Sequence, residues 1–323
     1  MKRLLKKIFI FSILIAVIFS FLFYYFYRIG GDDLPAPYFS NSISFNEKIQ
    51  FIKENNKFNS EILILGSSMA LNNLASKVII EDLKTNKLLN AASWGVRVSD
   101  SENFIKNISG YFGNLEYVIL VANLMDFSKM QNKVIIDYDG VKYYFDHNLG
   151  NLSYLKYFNL NYFIKNSKLN KERNRAKNTY QSLVFDQGGS VILDIDSNEI
   201  DMSRWNKKID EFEVLNSEIQ SLNSIAEYLK TRQIKFIVAI SPVKKSSLSL
   251  QQRSYVTKEI CNIKDSIDES VIFIDSYNLS DWYDSYYVDF AHFNKLGAKR
   301  FTSYIVNTLK MGINRKNHKD IYE

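Results

Sequence analysis

The chain has 323 residues, 46% hydrophobic and 24% charged, with a net charge of +6. This composition suits one large folded domain, or one domain with an insertion, and excludes a disordered chain. One cysteine excludes an internal disulfide, and one cysteine with three histidines leaves little for a zinc site. The net charge draws on both ends, with Lys2, Arg3, Lys6 and Lys7 at the start and Lys310, Arg315, Lys316 and Lys319 near the close. No basic stripe with regular aromatic interleaving marks a nucleic-acid binder.

Ile8 to Tyr27 is an uncharged apolar stretch with the length of a bilayer-crossing helix. The four cations before it place the N-terminus in the cytoplasm and the rest of the chain on the far side. Tyr24, Tyr25 and Tyr27 fit the outer interfacial belt. A cleaved signal peptide is the alternative, but the stretch is long and no Ala-x-Ala-like site follows. Gly30 to Ser42 reads as a connector held extended by Pro35 and Pro37, and Phe45 to Asn55 as a short amphipathic helix.

Ile62 to Leu65 form an apolar run, as a strand buried on both faces would. Gly66 ends it, two serines follow, and Met69 to Leu83 has helical spacing. A serine at such a strand-to-helix turn lies on the carboxyl edge of an α/β sheet, where ligands bind. Ser68 as a simple helix cap is the alternative. Lys87 to Ala92 reads as a second strand, Ser99 to Tyr111 as a helix, and Tyr117 to Ala122 as a third strand.

The βα alternation then lapses from about Ser128 to Trp205. Val134 to Phe145 has the pattern of a hairpin about Asp139-Gly140. The basic run Lys168 to Lys177 reads as a solvated helix face, and Gln187-Gly188-Gly189 as a turn. This segment is expected to be an insertion on the carboxyl edge. Leu215, Ile219, Leu222, Ala226 and Leu229 then mark a helix. Lys235 to Ile240 is a strand, Ser249 to Ile263 a helix containing a buried Cys261, and Val271 to Asp275 the last strand. Asn294 to Leu309 is the last helix, with Asn294 as its cap and a polar frayed tail from Asn314. His147 and His318 read as surface residues. The fold class is therefore α/β: a three-layer α/β/α sandwich with about five parallel strands.

Asp289-Phe290-Ala291-His292 lies between the last strand and the last helix. An Asp three residues before a His can hold the imidazole by one nitrogen and leave the other basic toward a serine hydroxyl. The chain order Ser, Asp, His is one that α/β folds use. Trp282, Tyr286 and Tyr287 just before this pair, and Trp94 beside Gly95, could stack on a sugar ring or could equally be core.

Gly66-Ser67-Ser68, Gly95 and Asp289-x-x-His292 together resemble the blocks of the SGNH/GDSL hydrolase family. The resemblance covers about residues 60–127 and 208–310. It implies a flavodoxin-like fold, with Ser68 as nucleophile, His292 as base and Asp289 as its orienter. It also implies oxyanion donors at the Ser68 and Gly95 N–H groups. Where the family's third block has Gly-x-Asn-Asp, this chain has Asn123-Leu124-Met125-Asp126. The usual Asn position thus holds Met125, and either Asn123 reaches the oxyanion hole or that donor is missing. The departure fits the membrane-anchored relatives, which resemble D-alanine-transfer and alginate O-acetylation accessory proteins and work beside a multi-pass membrane O-acyltransferase.

The expected organisation is a basic tip and anchor at 1–28, a connector at 29–58, a catalytic domain from 59–127 and 206–312, an insertion at 128–205 and a tail at 313–323. The expected activity is that of a serine acyl esterase or O-acyltransferase on a cell-envelope glycan, in the cytoplasmic membrane with its domain outside. No cofactor, metal or nucleic acid is expected. A non-catalytic glycan-binding or acyltransferase-docking protein is the alternative.

Overall fold

A computed structural model describes residues 1–30, 34–129, 134–150, 152–175, 179–195 and 213–319. Five parallel strands, β1 (Ile62–Gly66), β2 (Leu88–Asn90), β3 (Tyr117–Ala122), β4 (Lys235–Ile240) and β5 (Ile272–Asp275), form one sheet in the order β2-β1-β3-β4-β5. The register pairs Ile64 with Asn90 and Ile119, Val121 with Ala239, and Ile240 with Asp275. Every residue of β1 is buried, as its unbroken apolar run requires.

Helices cover both faces. On one, α3 (Ser68–Asn73) and α4 (Ser76–Leu83) pack on α11 (Lys295–Lys319). On the other, α5 (Val98–Ile108) packs on α9 (Asn216–Lys230), and Asn223 of α9 donates to the Ser266 carbonyl of α10 (Leu250–Ser266). The stripe of α9 is buried at Ile219, Leu222, Ala226 and Leu229. Parallel sheets need such two-sided cover because their strands have no solvated face.

The outer edge of β2 is closed by the 186–190 turn. The Asn90 N–H donates to the Gly188 carbonyl, which blunts an edge that would otherwise pair with another chain. Gly189 has φ +91°, which an L side chain rarely adopts. Its carbonyl accepts from the buried Lys48 ammonium of α2 (Ile43–Glu54).

Several elements differ from the sequence reading. Residues 134–145 are no hairpin: Tyr138–Asp146 is helix α6. Asp137 caps it by accepting from the Gly140 N–H, and Val141 and Tyr144 face the core one turn apart. The helix expected over 69–83 is broken at Leu74 and Ala75, whose backbones are extended. The Ala75 N–H goes instead to Thr302 of α11. Cys261 is exposed, because the buried stripe of α10 runs through Val256, Ile260 and Ile263. The last helix continues past Asn314 to Lys319 in place of a frayed tail, with Asn294 capping it through the Gly297 N–H.

Two further helices, α7 (Leu152–Lys156) and α8 (Leu160–Arg175), belong to the segment after β3. The expected boundary at 205–206 lies outside the described residues, as do part of the basic run at 168–177 and the side chains of Tyr25, Tyr27 and His318. His147 is exposed. The N-terminal helix α1 (Lys2–Gly30) is long and apolar enough to cross a membrane, with mean hydropathy 2.4 and no buried residue over Lys2–Tyr24.

Candidate active site

Gly66 sets the turn at the end of β1. Its φ is +132°, and a Cβ there would lie 2.1 Å from the Val121 carbonyl oxygen of β3. Only glycine combines that angle with that approach. Ser67 then caps α3, its Oγ accepting from the Met69 N–H at 3.2 Å. The cap is thus Ser67 and not Ser68. Ser67 is turned inward and buried, which leaves Ser68, the first helical residue, facing the carboxyl edge of the sheet.

Asp289 and His292 meet Ser68 from the loop between β5 and α11. His292 Nε2 lies 2.8 Å from Ser68 Oγ, and its Nδ1 lies 2.8 Å from Asp289 Oδ2. Both residues of the pair are buried. The carboxylate allots its oxygens cleanly: Oδ1 accepts from the Ala291 and His292 N–H groups, and Oδ2 faces the imidazole. Burial works against the charge on Asp289, but His292 and these hydrogen bonds outweigh it and hold the carboxyl down to about 2. A carboxylate on Nδ1 favours the tautomer that carries its proton there, which leaves Nε2 to accept from the serine hydroxyl.

Two residues that the sequence did not single out hold this arrangement. Asn73, fully buried on α3, donates to the Ala291 carbonyl and accepts from the Phe293 N–H, so it grips the backbone on both sides of His292. Its Nδ2 also donates to Ser241 Oγ at 2.8 Å, beyond the end of β4. The second is Tyr180, from the segment after β3, whose hydroxyl donates to Asp289 Oδ2 at 2.7 Å and lies 2.8 Å from His292 Nδ1. A polar pair, Asn72-Asn73, in an otherwise apolar helix was a legible sign of the first; nothing local marks the second.

A cavity of about 630 Å³ opens over Ser68. Its walls include Trp94 and Gly95 after β2, Met125 and Asp126 after β3, and Asn161, Lys165 and Tyr180 from the later segment. Gly95 and Trp94, the expected oxyanion donor and substrate contact, therefore line the same cavity as Ser68. Asn123 does not line the cavity: its Oδ1 accepts from the Met125 N–H, and its Nδ2 is buried with no partner among the described residues. Burial pushes the Asp126 carboxyl up to about 7, against the Asn123 N–H, the Ser67 hydroxyl and His292, which all favour its ionised form.

The aromatics before Asp289 are elsewhere. Trp282 is core, packed on Phe293 and Phe301 with its indole N–H donated to the Ser276 carbonyl. Tyr287 is buried against Phe293. Tyr286 packs on Tyr283 and under Arg300. None of the three lines the cavity over Ser68, which is the ordinary fate of clustered aromatics beside a core helix. No group of three or more His, Cys, Asp or Glu among the described residues could hold a metal ion.

No family model matches the chain. No curated protein matches it in sequence. The reading of the site therefore rests on its geometry: a serine hydroxyl, an imidazole and an ionised carboxylate in one hydrogen-bonded line, at a cavity mouth on the carboxyl edge of a parallel sheet. That arrangement can take a proton from the hydroxyl as its oxygen attacks a carbonyl, and later return the proton to a leaving group.

Proposed function

We propose that the chain is a membrane-anchored serine acyl esterase or O-acyltransferase of the SGNH type. It carries an acyl group, most simply acetyl, on Ser68 and passes it to a hydroxyl of a cell-envelope glycan or to water. The observation that carries this reading is the 2.8 Å contact between Ser68 Oγ and His292 Nε2, with Asp289 on the opposite nitrogen.

In the first step Ser68 Oγ bonds to the acyl carbon while its proton passes to His292 Nε2. The carbonyl oxygen takes on negative charge, with the Gly95 and Ser68 N–H groups as its donors. Collapse breaks the bond to the leaving oxygen or sulfur, which takes the proton from His292. In the second step the imidazole accepts a proton from water or a glycan hydroxyl as that oxygen attacks the acyl–serine, and returns it to Ser68. Asp289 stays ionised throughout and stabilises the imidazolium formed in each half.

Transfer is favoured over simple hydrolysis by α1, which would hold the domain at a membrane where a multi-pass acyltransferase could supply the acyl group, and by the Met125 departure. An oxyanion hole short of one donor costs about a hundredfold or more in rate, a loss that a slow, localised transfer tolerates better than a free hydrolase. The same departure favours one alternative, an accessory protein that binds glycan or docks an acyltransferase without turnover. The two readings part on p-nitrophenyl acetate with the full chain in detergent. The enzyme releases a burst of nitrophenolate equal to the protein present, and Ser68→Ala abolishes it. Absence of both a burst and steady nitrophenolate release from the folded wild type favours the binding protein.

A further inference from the structure

The exposed large apolar side chains of the globular part are mostly scattered singly, but five cluster between residues 152 and 164. Leu152 is 63% exposed, Leu155 58%, Phe158 52%, Leu160 55% and Ile164 60%. Such a cluster marks a contact surface. Four of the five, Leu155, Phe158, Leu160 and Ile164, line a cavity of about 1830 Å³ whose lining also includes Phe19, Ser20 and Phe23 of α1, with Lys53 and Glu54 of α2 among its polar groups. The patch therefore shares a cavity with the membrane-length helix at Phe19 to Phe23, inside its apolar stretch, and with Leu34 and Pro37 just after it.

Helix α8 explains how one element serves two surroundings. At 3.6 residues per turn, Asn161 and Lys165 stand roughly 100° around the helix from Leu160 and Ile164. Leu160 and Ile164 face the α1 cavity, whereas Asn161 and Lys165 line the cavity over Ser68. Tyr162 and Phe163, on the remaining arc, are buried. The outward side of α8 is thus split into an apolar half and a polar half, as in helices that lie in the plane of a membrane surface.

We propose that the face formed by Leu152, Leu155, Phe158, Leu160 and Ile164 is immersed in the lipid leaflet from which α1 emerges, so that the Ser68 cavity opens at the lipid surface. This rests on reading α1 as membrane-spanning. The occupant is phospholipid acyl chains: the five side chains are apolar, and the patch adjoins the one helix of membrane length among the described residues. The consequence is positional. Either the acyl donor or the acceptor is presented at the membrane, within about one helix diameter, 10–12 Å, of the lipid.

The test uses the full chain in phosphatidylcholine–phosphatidylglycerol vesicles. Cys261, the exposed native thiol, is first replaced by serine. Single cysteines at Leu155, Ile164, Ser12 and Ser270 then carry an environment-sensitive fluorophore. Leu155, Ile164 and Ser270 are exposed on the globular part, so labels there leave the core intact. The expected result is that labels at Leu155 and Ile164 are quenched by mid-chain spin-labelled lipid as strongly as Ser12, and are severalfold less quenched by aqueous iodide than Ser270. Iodide quenching equal to that of Ser270 overturns the proposal. So does shielding from iodide without quenching by lipid, which would mean that a protein or a second copy covers the face. If Ser12 itself escapes lipid quenching, the membrane anchor fails and this proposal with it. The nitrophenolate burst is unaffected by any of these outcomes and reports on Ser68 separately.

Discussion

Asn73→Ala should unseat His292 without touching any group that reacts. The side chain is fully buried and, besides a 3.7 Å contact with Met69 Sδ, makes three hydrogen bonds to nitrogen and oxygen: from the Phe293 N–H at 2.8 Å, to the Ala291 carbonyl at 2.9 Å and to Ser241 Oγ at 2.8 Å. Alanine leaves two backbone groups and a hydroxyl facing a small void. Each buried polar group left without a partner costs about 1–3 kcal/mol. The three share one neighbourhood and do not add fully, so a loss of about 3 kcal/mol is expected. The catalytic loss comes from geometry, because the two backbone bonds flank His292 on either side. A shift of about 1 Å in a reacting group can cost on the order of a hundredfold. Urea unfolding followed by tryptophan fluorescence measures the first effect, with Trp282 in the core as reporter; the nitrophenolate burst rate measures the second. Asn73→Asp separates them further, since it can still accept from the Phe293 N–H but cannot donate to Ala291. A stability loss below about 0.5 kcal/mol, together with an unchanged burst rate, would mean that Asn73 does not hold His292 in place.

Tyr180→Phe removes the hydroxyl that donates to Asp289 Oδ2. A hydrogen bond to a charged group is worth about 1.5 kcal/mol or more, so the burst should slow roughly tenfold; an unchanged rate means that the tyrosine only covers the pair. Asp126 titrates near 7 when folded but near 3.8 as an ordinary carboxyl. The folded state therefore holds this proton more tightly, and acid favours folding. The stability of wild type relative to Asp126→Asn should be greatest below pH 3.8, decline as pH rises to about 7 and be flat above, as read by urea unfolding across pH. A difference independent of pH would exclude the raised carboxyl. Gly66→Ala sets a Cβ 2.1 Å from the Val121 carbonyl oxygen at a φ that L residues avoid, so the loss should exceed about 4 kcal/mol. A thermal midpoint near wild type would mean that the β1 turn relaxes freely.

What the sequence disclosed divides along physical lines. β1, β3 and β4 were legible because a strand buried on both faces must be apolar throughout, and runs such as Ile62–Leu65 have few other uses. The meeting of Ser68, Asp289 and His292 was legible because all three follow strand ends, and parallel strands bring those ends to one edge. The Asp139-Gly140 turn signal misled because a dipeptide describes two residues, whereas the helix there is decided by the Asp137 cap and by the burial of Val141 and Tyr144. The aromatics near Asp289 misled for a related reason: composition tells that rings cluster, but only packing tells that Trp282 meets Phe293 and Phe301 instead of a substrate. Tyr180 could not be found at all. It lies 109 positions before Asp289, in a segment without βα periodicity, and its role exists only through a tertiary contact.

The account depends on Ser68 being a nucleophile activated by His292. The most direct measurement is the mass of the full chain, and of its peptides, after treatment with a fluorophosphonate. One adduct per chain is expected, on Ser68, absent from Ser68→Ala and strongly slowed in His292→Ala. A folded wild type that takes up no adduct, or an adduct that persists in Ser68→Ala, would contradict it.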